Sequence, residues 1–335
     1  MLLVFFLSIM ALNSIEAKAQ PNFDFSQNRG KTDLFSEENG WKSINSPIFE
    51  KQPFMLTLSS SVFLSKGSRE YIKSNNKINE IDKFYNKPVV GNNSTVLGVS
   101  GDSFSLFYYN ISEFFGNVSN PVFPEIKIVS TKTKIISVSK NTNRFNGVSI
   151  GSSISIKKME SEFLGLDAFD AINKIPEKVK SEAFALGLNL TGSYLVKSPN
   201  FLGELRIRFN PELWDIKNAD LEFGTTSIGS KFSLIPNKLN LLNITTQIDY
   251  SNKDRKISDI GGALEYESPG SLKLSLGSNL SGLTAGVMSS FYGISLKFGS
   301  HVPGTGTQDR HIRENELRFL KDKERLYSLG ISVSL

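Results

Sequence analysis

The chain contains no cysteine and only two histidines, His301 and His311. The first absence excludes disulfides, thiolate nucleophiles and thiolate metal sites. The second argues against a histidine metal centre or a histidine-based triad. Asp309, Glu314 and Glu316 lie near the two histidines, but that stretch mixes signs and reads as a solvated loop. No cofactor, metal or enzymatic activity is expected. A concentrated charge of one sign is also missing. The net charge of +5 is spread along the chain, so no nucleic-acid interface is expected. Paired acids such as Asp167 and Asp170 read as solvated side chains, not an acid/base pair. Long apolar runs are scarce. Leu2 to Leu12 has the length of a signal-peptide core and is too short to cross a bilayer as a helix. Ala17-Lys18-Ala19 fits a cleavage site, giving residues 1–19 as a signal peptide, although no Lys or Arg precedes the apolar run. An N-terminal membrane anchor is the alternative. Export without cysteine suits a Gram-negative envelope.

What is present is alternation. Residues 20–50 are polar, carry isolated aromatics and show no sustained period. From Phe54 the chain becomes a series of short runs with period two, such as "FMLTLSSSVFL", "SFSLFYYNI", "FNGVSIGSSISIKK" and "GELRIRF". About 14 strands are expected between residues 51 and 335. One stretch breaks the pattern. Over 157–181, Phe163, Leu164, Leu166, Phe169, Ile172 and Ile175 recur near helical spacing, and Pro176 interrupts them. A short helical insert is expected there. The charged segment 300–325 is expected to be a long loop.

The last strands can be registered by parity. Leu272, Leu274 and Leu276 fall on one face, as do Tyr292, Ile294, Leu296 and Phe298, and Tyr327, Leu329, Ile331, Val333 and Leu335. A two-residue turn at Ser289-Ser290 would pair Val287 with Tyr292. A turn at Ser268-Pro269-Gly270 would pair Leu264 with Leu274 and set Glu265 opposite Lys273. The other face carries Glu265, Lys273, Ser275 and Lys297. A soluble sandwich would bury the apolar face, whereas a membrane barrel would turn it to lipid. The export signal, the long hairpin-connected run and the apolar terminal strand favour the barrel. The first set is then expected to face lipid, and Glu265, Lys273, Ser275 and Lys297 the lumen. The short turns fall at one end and the longer polar loops at the other, as outer-membrane barrels require. The aromatic groups at 107–109, 114–115 and 291–292 fit either interfacial girdles or packing.

The C-terminal third, "IPNKLNLLNITTQIDY…DIGGALEYESPGSLKLSLGSNLSGLTAGVMSSFYGISLKFGSH…LYSLGISVSL", resembles the FadL-like superfamily of outer-membrane barrels, especially its PorV and TraF-like branches. The carrying positions are Gly262 to Tyr266, Leu272 to Gly277 and Leu283 to Val287. Residues 40–61 are also similar to the family's passage into its first strand, with Asn45 and Pro47 in place. Ser46 departs from the family's Pro-Ala context, and no preceding Gly/Ala-rich stretch is present. The resemblance implies a 14-stranded barrel in the outer membrane whose N-terminal segment, here 20–50, plugs the lumen. It implies binding or passive uptake of small hydrophobic molecules. The alternative is an anchor or accessory protein of a secretion or conjugation apparatus. A soluble periplasmic sandwich is the further alternative. Outer-membrane lipid is the expected partner, with a hydrophobic small molecule or a secretion-system protein in the lumen or at the loops. The terminal strand is expected to be read by the barrel-assembly machinery.

Overall fold

The computed structural model describes residues 54–65, 67–68, 89–119, 125–142, 144–166, 177–199, 201–214, 220–237, 240–252, 255–268, 271–279, 282–303 and 326–334, together with Phe35, Pro47 and Ile48. Among the described residues, period-two segments rich in β-branched and aromatic residues form fourteen strands. They are β1 Met55–Ser65, β2 Val89–Ser100, β3 Phe104–Ser119, β4 Glu125–Asn141, β5 Val148–Leu166, β6 Glu177–Ser198 and β7 Phe201–Trp214. The second half comprises β8 Asp220–Asn237, β9 Asn240–Ser251, β10 Lys256–Glu267, β11 Leu272–Asn279, β12 Gly282–Phe291, β13 Ile294–Pro303 and β14 Leu326–Ser334. Each pairs antiparallel with its sequence neighbours, and β14 pairs with β1 from Thr57↔Ser334 to Ser65↔Leu326. The sheet therefore closes on itself and leaves no open edge.

The connections differ at the two ends. At one end the intervals β2–β3, β4–β5, β6–β7, β8–β9, β10–β11 and β12–β13 are short, none longer than 142–147. Asn146-Gly147 makes the β4–β5 turn, with φ of 48° and 83°. An Asn-Gly pair supplies the two left-handed residues that a tight hairpin needs. At the other end lie the longer intervals 66–88, 167–176 and 304–325. The strands of the β3–β8 sector are also the longest, and β6 runs for 22 residues. A strand needs only ~9–11 residues to cross a hydrocarbon layer, so β6 extends well past any such layer at the loop end.

The sidedness is the reverse of a water-soluble core. Exposed large apolar side chains cover the outside, including Leu58, Leu106, Ile136, Ile154, Leu188, Ile207, Ile228, Ile248 and Leu276. Buried polar side chains fill the inside, including Ser105, Ser137, Asn189, Thr191, Arg208, Asn243 and Gln247. Water would reject that outer surface, since monomers rarely leave contiguous apolar patches of more than ~300–600 Å² exposed. Lipid accepts it. This is the architecture of a membrane-spanning antiparallel barrel.

Three expectations are corrected. The helical insert is replaced by strand wherever the chain is described within 157–181: β5 continues to Leu166 and β6 begins at Glu177. Residues 167–176 of that span lie outside the described residues. The β12–β13 turn sits at Tyr292-Gly293, both with positive φ, so Phe291 pairs with Ile294 and Val287 with Phe298. Leu264 pairs with Leu276, and Glu265 lies opposite Ser275. The opposite-charge pair across β10 and β11 is Glu267–Lys273, at 2.9 Å. The differences in register are even-numbered, which preserves every face. Parity sets the face of a strand; only turn geometry sets its absolute register.

Candidate functional site: the inner wall

The inner wall has a charged sector and a small apolar part. The charged sector lies on β6–β10. In β7 the run "GELRIRF" alternates, so Leu205, Ile207 and Phe209 point outward and Glu204, Arg206 and Arg208 point inward. Arg206 grips Glu204 with two bonds, Nε to Oε1 and Nη2 to Oε2, both 3.0 Å. Ser193 on β6 donates to Oε1 at 2.6 Å, and Arg144 reaches the same oxygen from the β4–β5 turn at 3.3 Å. A carboxylate held by two guanidiniums and a hydroxyl is satisfied without water. Arg208 donates to Ser227 Oγ through Nε at 3.1 Å and Nη2 at 2.7 Å, and Asp249 lies 3.8 Å from Nη2. Gln247 fixes Asp249 from one side. Further round the wall, Ser233 donates to Asn243, and Asn243 donates to Glu265 at 3.2 Å.

The apolar part is a small cluster on β2–β4, set among inward-facing Asn92, Ser94, Ser105 and Ser137, with Asn92 donating to Glu113 at 3.0 Å. Val96, Phe107, Tyr109 and Ile135 form a buried cluster, with Ile111 packed beside it. Phe107 and Tyr109 stand with ring centroids 6.2 Å apart. These are inward-facing side chains, whereas Tyr108 and Phe114 point outward. The aromatic group at 107–109 therefore divides between the inside and the outside, and Phe114 points outward. Phe291 and Tyr292 stand edge to face at 4.3 Å on the exposed β12–β13 turn.

Three described residues of the N-terminal segment touch this interior. Pro47 and Ile48 are buried, and the Pro47 carbonyl lies directly over the inward face of Gly151 on β5. A Cβ at Gly151 would fall 2.0 Å from that oxygen, so only glycine admits the contact. Phe35 is buried under the Arg206 guanidinium, 4.9 Å from its ring centroid. Asn45 lies outside the described residues.

The structure places the remaining residues singled out from the sequence as follows. Glu265 and Lys297 are buried on the inner face, with Lys273 and Ser275 half-buried beside them. Leu272, Leu274, Leu276, Ile294, Leu296, Phe298, Leu329 and Ile331 are exposed on the outer face. Tyr327 and Val333 share that face and are half-buried. Tyr292 belongs to the turn, not to a strand, and is 88% exposed. Leu335 lies outside the described residues. His301 pairs through its backbone with Thr284 and Leu326, and His311 lies outside the described residues. Sequence reading did not single out Arg144, Glu204, Arg206, Arg208 or Asp249. The signal was available in "GELRIRF", where charges occupy every position that the apolar face leaves over.

No family model matches the chain, and no curated protein matches it. Solved structures resemble it in fold. The toluene transporter TbuX of Ralstonia pickettii superposes with a TM-score of 0.48 at 9% identity, over 88% of this chain and 93% of that one. The translocator domain of the autotransporter NalP of Neisseria meningitidis gives 0.42 at 8% identity, over 88% and 92%. CdiB of Acinetobacter baumannii gives 0.42 at 9% identity, over 85% of this chain but only 60% of CdiB. The chain thus spans less than two thirds of CdiB. Likeness at this level concerns barrel architecture alone; the site is defined by the wall chemistry above.

Proposed function

We propose that the chain is an outer-membrane barrel, exported by its N-terminal signal peptide, that binds small hydrophobic molecules in its lumen and passes them inward. The FadL-like resemblance of the C-terminal strands is the finer form of this reading. The tight-turn end then faces the periplasm and the loop end the exterior. The observation that carries the reading is the apolar cluster of Val96, Phe107, Tyr109, Ile135 and Ile111 on an otherwise polar inner wall. A structural barrel has no need of it, because a lumen can be filled by polar ladders such as those on β6–β10. Phe107 and Tyr109 are fully covered and Val96 and Ile135 nearly so, so an apolar solute would have to displace what lies over them; each Å² of its surface then removed from water is worth ~25 cal/mol. The N-terminal residues seated on Gly151 and Arg206 support a gate formed by 20–50.

The test has two stages. Outer membranes from a Gram-negative host are fractionated, and the protein is run with and without boiling; a closed barrel shifts on boiling. The purified barrel is then titrated with an apolar fluorescent probe. Binding that weakens about tenfold in Val96→Ser with Ile135→Ser supports the reading, as does altered uptake when 20–50 is deleted. Equal probe binding by the wild type and the double variant, with uptake indifferent to the deletion, would leave only an anchor.

A further inference from the structure

We infer that the outer surface of β4 and β5 carries a binding site for the phosphates of an outer-leaflet lipid. The inference rests on the membrane placement proposed above. On β5 the outward positions from Val148 to Ile156 are apolar apart from Ser152, and Lys158 is the first charge. Its register partner on β4 is Lys134, and Lys132 follows two residues further on the same face. Two like charges directly opposite on neighbouring strands oppose folding. Both lie at the loop-end edge of the apolar belt, where lipid headgroups begin.

The surroundings compensate only in part. Glu160 takes Lys158 at 2.8 Å, and Glu182 reaches it at 3.4 Å. Phe184, the β6 neighbour of Lys158, sits beneath its ammonium at 5.7 Å. Glu160 is also the register partner of Lys132, so on this face the carboxylates of Glu160, Glu162 and Glu182 answer the four lysines Lys132, Lys134, Lys158 and Lys180, and one positive charge is left over beside Lys134. A phosphate in front of β4 would answer that remaining charge at Lys134, with Lys132 and Lys158 on either side of it. Basic clusters at a membrane surface recognise anionic headgroups in this way. The acyl chains of such a lipid would lie against Ile136, Val138, Ile154 and Ile156, which cover the belt immediately below.

The test uses the refolded full-length chain in a non-ionic detergent, titrated with lipid A, with retained adducts counted by native mass spectrometry. Phosphatidylcholine and inorganic phosphate are run as separate arms. Lipid A is expected to bind, phosphatidylcholine is not, and millimolar phosphate is not expected to displace the lipid. The variant Lys132→Gln with Lys134→Gln and Lys158→Gln should lose affinity at least tenfold. Lys140→Gln, on the same strand and face at the opposite edge of the belt, should stay within twofold. Equal binding by the wild type and the triple variant overturns the inference. So does an equal loss in Lys140→Gln, or full displacement by phosphate. Heat-modifiability of each variant reports folding: a lost site in an intact barrel refutes only the lipid site, whereas no boiling shift in the wild type refutes the barrel.

Discussion

Ile154 gives the sharpest quantitative handle on the outer surface. It lies mid-belt on β5, 56% exposed, between Val138 on β4 and Leu188 on β6. In water an Ile→Arg change at such an exposed position would alter stability by no more than about 0.5 kcal/mol. Against hydrocarbon the same change costs about 2–4 kcal/mol at the midplane and about 0–1 kcal/mol near the interface. Val148 lies on the same face near the tight-turn edge. Ile154→Arg should therefore shift the folding equilibrium about 30- to 1000-fold, and Val148→Arg about fivefold or less. Folding into phosphatidylcholine vesicles across a urea series, read by the boiling shift, measures both. Equal effects at the two positions, or none at Ile154, would refute the depth argument and with it the claim that this surface meets lipid.

Other outcomes follow from single contacts. Glu204→Ala leaves Arg144 and Arg206 without their shared carboxylate inside the barrel, and should cost about 3 kcal/mol or more in urea unfolding. Gly151→Leu places a side chain where the Pro47 carbonyl sits, and should increase proteolysis of the 20–50 segment while leaving the boiling shift intact. Gly147→Val forces a branched residue to φ 83°, and should destabilise by about 1–2 kcal/mol or slow folding.

The strands were legible because a two-sided sheet writes its faces into the sequence with period two. The spacing of Leu272, Leu274 and Leu276 puts them on one face, and their exposed side chains share it in the structure. Register was less legible. The apolar pattern is unchanged by a slip of two, so Ser289-Ser290 and Tyr292-Gly293 fit it equally well. The choice is made by Gly293, which takes a positive φ freely. The strand at the described ends of 157–181, where helical spacing points to an insert, has a different cause. Above the belt, Lys158, Glu160 and Glu162 replace apolar residues on the outer face, so the remaining hydrophobics no longer alternate. The inner wall was hardest to see. Its polar ladders use Ser, Thr and Asn, which also mark turns, and only the charges of "GELRIRF" stand out from that background.

On this fold, outer positions should meet lipid and inner positions should not. The absence of native cysteine allows this to be read directly. Single cysteines placed in turn from Ser149 to Glu162 on β5 would each carry an environment-sensitive fluorophore, challenged by a lipid-confined quencher in vesicles. Quenching should be strong at Ile150, Ser152, Ile154 and Ile156, weak at Ser149, Ser153 and Ser155, and fall to solvent values beyond Lys158. Quenching without a two-residue period, or none at Ile154, would contradict this.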